Sequence, residues 1–115
     1  MGRLTIAAVL IVAMATSPFA QGRTVTVRVT AERFRFSPDE IKIRCGETVE
    51  FRLESDDTDH GFKIPAAGID VAIPQQGMGE ARVRFVAKEK GTFGFECSRA
   101  CGAGHHLMRG TLVVK

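Results

Sequence analysis

Residues 41–54 read "IKIRCGETVEFRLE". Ile41 and Ile43 alternate with Lys42 and Arg44, and Val49, Phe51 and Leu53 alternate with charged residues after the turn-forming "CGE" at 45–47. An apolar residue at every second position is the pattern of a strand with one face buried, and a tight turn between two such runs predicts a β-hairpin over this stretch. The same period extends outward in both directions. Val25, Val27 and Val29 alternate with Thr and Arg, Ala81, Val83, Phe85 and Ala87 share one parity against Arg82, Arg84 and Lys88, and Phe93, Phe95 and Cys97 follow the turn "KEKG". The last run is "GTLVVK", residues 110–115. Between them "SDDTDHG" forms a polar loop, and "FKIPAAGIDVAIPQQGMGE", broken by Pro and Gly, crosses between sheets or runs along an edge. Seven or eight short strands, no amphipathic helix and no internal repeat predict an all-β domain, an antiparallel sandwich or small Greek-key barrel.

The chain has 115 residues, 44% hydrophobic and 25% charged, which suits one domain. Its net charge of +3 is spread among interspersed acids and bases, with no basic run and no Trp or Tyr on which bases stack, so nucleic acid is not an expected partner. The eight Phe are core residues. Residues 4–20, "LTIAAVLIVAMATSPFA", carry no charge. With Arg3 before them and small residues at Ala20 and Gly22, they predict a secretory signal peptide over residues 1–22, cleaved after Ala20 or Gly22, ahead of a domain at 23–115. The competing reading is a retained membrane anchor, since 17 residues reach the lower edge of the about 17–25 that span a bilayer; Ser17 and Pro18 interrupt it. Either way the domain is exported, to the periplasm or another extracytoplasmic space. In such a compartment thiols pair unless a metal or burial protects them, and three cysteines, Cys45, Cys97 and Cys101, cannot all pair internally. Cys45 shares the parity of Ile41 and Ile43, which predicts a buried, inert thiol; an intermolecular disulfide is the alternative.

The chemistry concentrates in "CSRACGAGHHLM", residues 97–108, where two cysteines, two histidines and a methionine occupy twelve positions. A loop curling through Gly102 and Gly104 can aim Cys97, Cys101, His105 and Met108 inward together, and His60 lies in the other loop expected to reach them. A cysteine pair alone fits a local disulfide or a tetrahedral zinc site. Two thiolates, imidazole and thioether together form a soft set that suits copper far better than magnesium or calcium, with copper and zinc as the candidates. His106 is expected at the surface or behind the ligands, Met78 as an ordinary residue, and Asp56, Asp57 and Asp59 as a solvated loop or, alternatively, as a lure for a basic partner such as a cytochrome.

These residues carry a resemblance. "CSRACGAGHHLM", preceded by "DHGFKIPAAGID" at 59–70 and closed by "GTLVVK", resembles the cupredoxin domain of cytochrome c oxidase subunit II, which holds the dinuclear CuA centre; the likeness covers nearly all of residues 35–115. It implies a cupredoxin-like Greek-key β-sandwich. It also implies two copper ions bridged by Cys97 and Cys101, with His60 and His105 on different ions, Met108 as a weak axial ligand and the Arg99 carbonyl opposite. The implied function is single-electron transfer with a cytochrome c or an oxidase subunit as partner, and no substrate chemistry on this chain alone; the alternative is copper storage or delivery for oxidase assembly, and a third reading is a metal-free structural domain with a disulfide. The chain departs from the family in three ways. Its only membrane segment resembles a signal peptide, Arg99 stands where many members have a magnesium-holding glutamate, and it lacks the Trp or Tyr of their electron-entry surface.

Overall fold

In a computed structural model, described for residues 2–3, 5–13 and 22–115, the chain from Thr24 onward forms nine strands. Residues 5–13 have no regular structure, and among the described residues no helix is long and apolar enough to cross a membrane. The cleavage position at Ala20 and the break at Ser17 and Pro18 lie outside the described residues.

The strands are β1 (Thr24–Glu32), β2 (Arg35–Ser37), β3 (Glu40–Ile43), β4 (Thr48–Ser55), β5 (His60–Ile64), β6 (Ile69–Ile73), β7 (Ala81–Val86), β8 (Gly91–Glu96) and β9 (Arg109–Val114). They form two sheets, ordered β2-β1-β4-β7 and β3-β9-β8-β5-β6. Alternation predicted the inward faces well. Val49, Phe51 and Leu53 of β4 are wholly buried, and Ile41 and Ile43 of β3 are buried opposite them. Phe85 and Phe95 point inward from β7 and β8 with the parity read from the sequence.

The predicted hairpin over 41–54 is not formed. The Arg44–Glu47 turn, closed by the Glu47 N–H on the Arg44 carbonyl at 3.1 Å, carries the chain from one sheet to the other, so β3 and β4 face each other across the core instead of pairing. β4 pairs with β1 in parallel and with β7 antiparallel, and β3 pairs with β9 in parallel. The sheets are therefore mixed, not antiparallel. Period-2 burial fixes which face a residue takes, and it carries no information on which neighbour supplies the hydrogen bonds. The Pro- and Gly-rich middle segment does run along an edge, as β6 paired to β5.

Phe62 of β5 is the hub of the core. Its ring centroid lies 5.1 Å from Phe51, 5.2 Å from Phe95 and 5.9 Å from Phe36, bridging both sheets with tilted and edge-to-face contacts. Cys45 sits in the turn after β3 and not in the strand, so it is half-buried, its sulfur 3.5 Å from the Lys88 carbonyl, and the prediction of a fully buried thiol is corrected.

Candidate metal centre

One end of the sandwich gathers the sulfur and imidazole side chains. β8 ends at Glu96 and β9 begins at Arg109, antiparallel neighbours, and the Cys97 N–H to the Met108 carbonyl at 3.1 Å closes the mouth of the loop between them. Cys97 continues the inward parity of Phe93 and Phe95. Within the loop a short 3-10 turn, His105–Leu107, brings His105 back toward Cys101 and leads Met108 into the core, where it is wholly buried. His60 is not in a loop, as the sequence predicted. It is the first residue of β5, and with Phe62 and Ile64 it faces inward, fully buried.

The donor atoms form a chain. The Cys97 and Cys101 sulfurs are 3.9 Å apart. His60 Nδ1 lies 3.9 Å from the Cys97 sulfur, and His105 Nδ1 lies 3.7 Å from the Cys101 sulfur. Met108 Sδ is 3.9 Å from Cys101, and the Arg99 carbonyl is 3.2 Å from Cys97. His60, Cys97 and Cys101 are the tightest group, all three buried, with ligand atoms within 4.8 Å of one another, whereas His105 reaches the cluster from the Cys101 side. Every residue singled out as a ligand in the sequence thus converges here. His106 is exposed, and so is Met78, away from the cluster. All three cysteines are free thiols, so no local disulfide forms.

Two features explain why the local sequence takes this shape. A side chain at Gly61 would overlap the Ser98 hydroxyl and stand 2.8 Å from the Ser98 backbone nitrogen, so the glycine of "HGF" allows β5 to touch the start of the ligand loop. That contact lets the Gly61 N–H point at the Cys97 sulfur at 3.4 Å. Gly102 and Gly104 serve contact as well as bending, because the Phe34 ring lies against both: a Cβ at Gly102 would stand 2.9 Å from it and one at Gly104 would overlap it.

Sequence reasoning missed Asp57, read as a solvated charge. Its Oδ1 meets His60 Nε2 at 2.6 Å and its Oδ2 accepts the Arg33 backbone N–H at 2.8 Å. With the Nε2 proton given to Asp57, Nδ1 is left as the free lone pair facing Cys97. Burial acts to raise the Asp57 carboxyl, but the Arg33 N–H and the His60 ring outweigh it and hold it below the ordinary carboxylate range. A carboxylate three residues before a candidate histidine ligand was the available signal, and it is a weak one. At Cys101, burial first and the Cys97 sulfur second push the thiol up to about 11, the expected state of two unmetallated sulfurs sharing a dry site. The Arg99 side chain turns outward to Asp59, 3.4 Å away, leaving only its carbonyl toward the cluster.

Two thiols, two imidazole Nδ1 atoms, a thioether and a carbonyl fit copper by softness. Comparison with known proteins agrees with that fit. Residues 4–114 match the cupredoxin-like domain family. The chain is 36% identical over 90 residues to cytochrome c oxidase subunit 2 of Thermus thermophilus, covering 78% of this chain and 65% of that protein. It is 35% identical over 102 residues to nitrous-oxide reductase of Cupriavidus necator, covering 84% of this chain but 15% of the reductase. The fold superposes on the periplasmic domain of subunit II of cytochrome oxidase of Bradyrhizobium japonicum with a TM-score of 0.71 at 18% identity, over 78% of this chain and 83% of that one. The chain spans about two thirds of the first of these curated relatives and a small fraction of the second, so the likeness is one of domain. This chain belongs to the cupredoxin-like domain family, is related within it to cytochrome c oxidase subunit 2, and carries a buried His/Cys/Cys cluster able to hold metal.

Proposed function

We propose that this protein is an exported single-electron carrier whose donor set holds a dinuclear copper centre. The observation that carries the reading is the pairing of two buried sulfurs 3.9 Å apart, each with its own imidazole nitrogen within 3.9 Å. A single metal with one thiolate would leave the second cysteine without a role, whereas two sulfurs flanked on both sides suit a pair of bridged ions. His60, Cys97, Cys101, His105, Met108 and the Arg99 carbonyl would hold the copper, which would supply a one-electron couple shared between two ions.

The chain's own residues prepare the site for that use. His60 and Met108 are wholly buried and Cys97 and Cys101 nearly so, which keeps water and its reorganisation away from the donors. Cys97, His60 and Met108 are seated in or beside paired strands, so little needs to move when charge changes. Asp57 fixes the His60 tautomer. The donors converge on one largely buried cluster, in keeping with electron transfer in place of chemistry on a bound molecule. The uncharged segment at 4–20 supports export, as a signal peptide or anchor, and the relationship to an oxidase subunit supports a redox protein, a cytochrome c or an oxidase subunit, as partner.

Electrochemical cycling of the copper-loaded protein, followed by metal analysis, tests the reading. A carrier takes up and returns one electron per copper pair and keeps its metal through repeated cycles. Loss of copper on reduction to a metal-free acceptor would point to delivery, and absence of a reversible couple would reject the reading.

A further inference from the structure

The turn between β1 and β2 contributes no donor atom, yet it touches both halves of the cluster. The Arg33 side chain donates through Nε to the Cys101 carbonyl at 2.9 Å, across 68 positions of sequence. The Arg33 backbone N–H donates to Asp57 Oδ2 at 2.8 Å, and the other oxygen of Asp57 holds His60. Phe34, the next residue, lies over Gly102 and Gly104. β1 and β2 belong to one sheet, while Cys97, His60 and the ligand loop hang from the other. We infer that residues 33–34 form a strap joining the two sheets over the metal site, and that Arg33 is a positioning residue which sets Cys101 against His60 and biases the centre toward its reduced state. The inference rests on the copper reading above.

Cys97 and His60 need no strap, being fixed by β8 and β5, adjacent strands of one sheet. Cys101 lies four residues beyond Cys97 in the loop, outside any ladder, and its carbonyl is held by Arg33. Losing that bond frees the second sulfur to drift from the first. The guanidinium adds an electrostatic effect. A cation hydrogen-bonded to the carbonyl of a ligand residue favours the less positive, reduced form of the centre and raises its potential, modestly because Arg33 also faces solvent.

The test uses the full chain with Arg33→Met and Arg33→Lys, both at an exposed position where folding is expected to survive. In the metal-free protein, Arg33→Met should alkylate at Cys101 several-fold faster than the unsubstituted chain. After copper loading, its affinity in a chelator competition should fall roughly tenfold or more, the range for partners that orient ligands, and its potential should drop. Arg33→Lys, which keeps the charge, should recover the potential and part of the affinity. Unchanged alkylation in Arg33→Met overturns the strap whether or not copper binds, and unchanged affinity and potential in a chain that loads copper overturn it too. Failure of the unsubstituted chain to load a copper pair would reject the copper reading instead.

Discussion

Gly61→Ala should destabilise this protein by forcing β5 away from the start of the ligand loop. The new Cβ would stand 2.8 Å from the Ser98 backbone nitrogen, about 0.6 Å inside the shortest ordinary contact, and would also overlap the Ser98 hydroxyl. The hydroxyl can rotate away only by giving up its 2.7 Å bond to Asp70, a loss of about 1 kcal/mol. The backbone nitrogen cannot rotate, so β5 and the start of the ligand loop must separate, an overpacking cost of about 1–3 kcal/mol. The expected loss is about 2–4 kcal/mol in urea unfolding of the metal-free protein, with the denaturant slope unchanged. Ser98→Ala, which removes the hydrogen bond alone, should cost no more than about 1 kcal/mol. A Gly61→Ala protein within about 0.5 kcal/mol of the parent would refute the claim that this glycine sets the approach of β5 to the ligand loop.

Arg99→Ala should leave copper loading intact, because the carbonyl and not the side chain faces Cys97; it removes only an exposed ion pair with Asp59, a loss below about 1 kcal/mol, and loss of loading on metal analysis would contradict the assignment. Glu80 is held below its ordinary pKa of 4.5, first by Arg82 and then by Arg52. Its stabilisation is therefore complete above the unfolded value and lost as pH falls through the lower folded value, so Glu80→Gln should flatten the acid limb of the stability profile, and an unchanged limb would reject the link. Alkylation of Cys101 in the metal-free protein should remain slow at neutral pH and climb as pH approaches about 11; fast labelling at neutral pH would contradict a buried, protonated thiol.

The sequence disclosed faces better than partners. Val49, Phe51 and Leu53 could be placed in the core from parity alone, but the same parity suits a hairpin partner and a strand in the opposite sheet equally, and the turn at Arg44–Glu47 chose the latter. The ligand loop was legible because soft side chains packed into twelve positions have few other uses. Asp57 and Arg33 were not, since a carboxylate in a polar loop and an arginine at a turn look like solvated charge until folding sets them beside His60 and Cys101, 3 and 68 positions away. Cys45 was misjudged for a related reason. Strand parity was extended two residues past Ile43, where the strand had already ended.

Copper analysis and the spin-resonance spectrum of one sample of the loaded protein test the central claim most directly. Two copper atoms per chain should be found, with the hyperfine pattern of one unpaired electron shared equally between two copper nuclei, and both should vanish in the Cys97→Ser, Cys101→Ser double variant. A single copper per chain with a spectrum localised on one nucleus, or full loading without the two sulfurs, would contradict it.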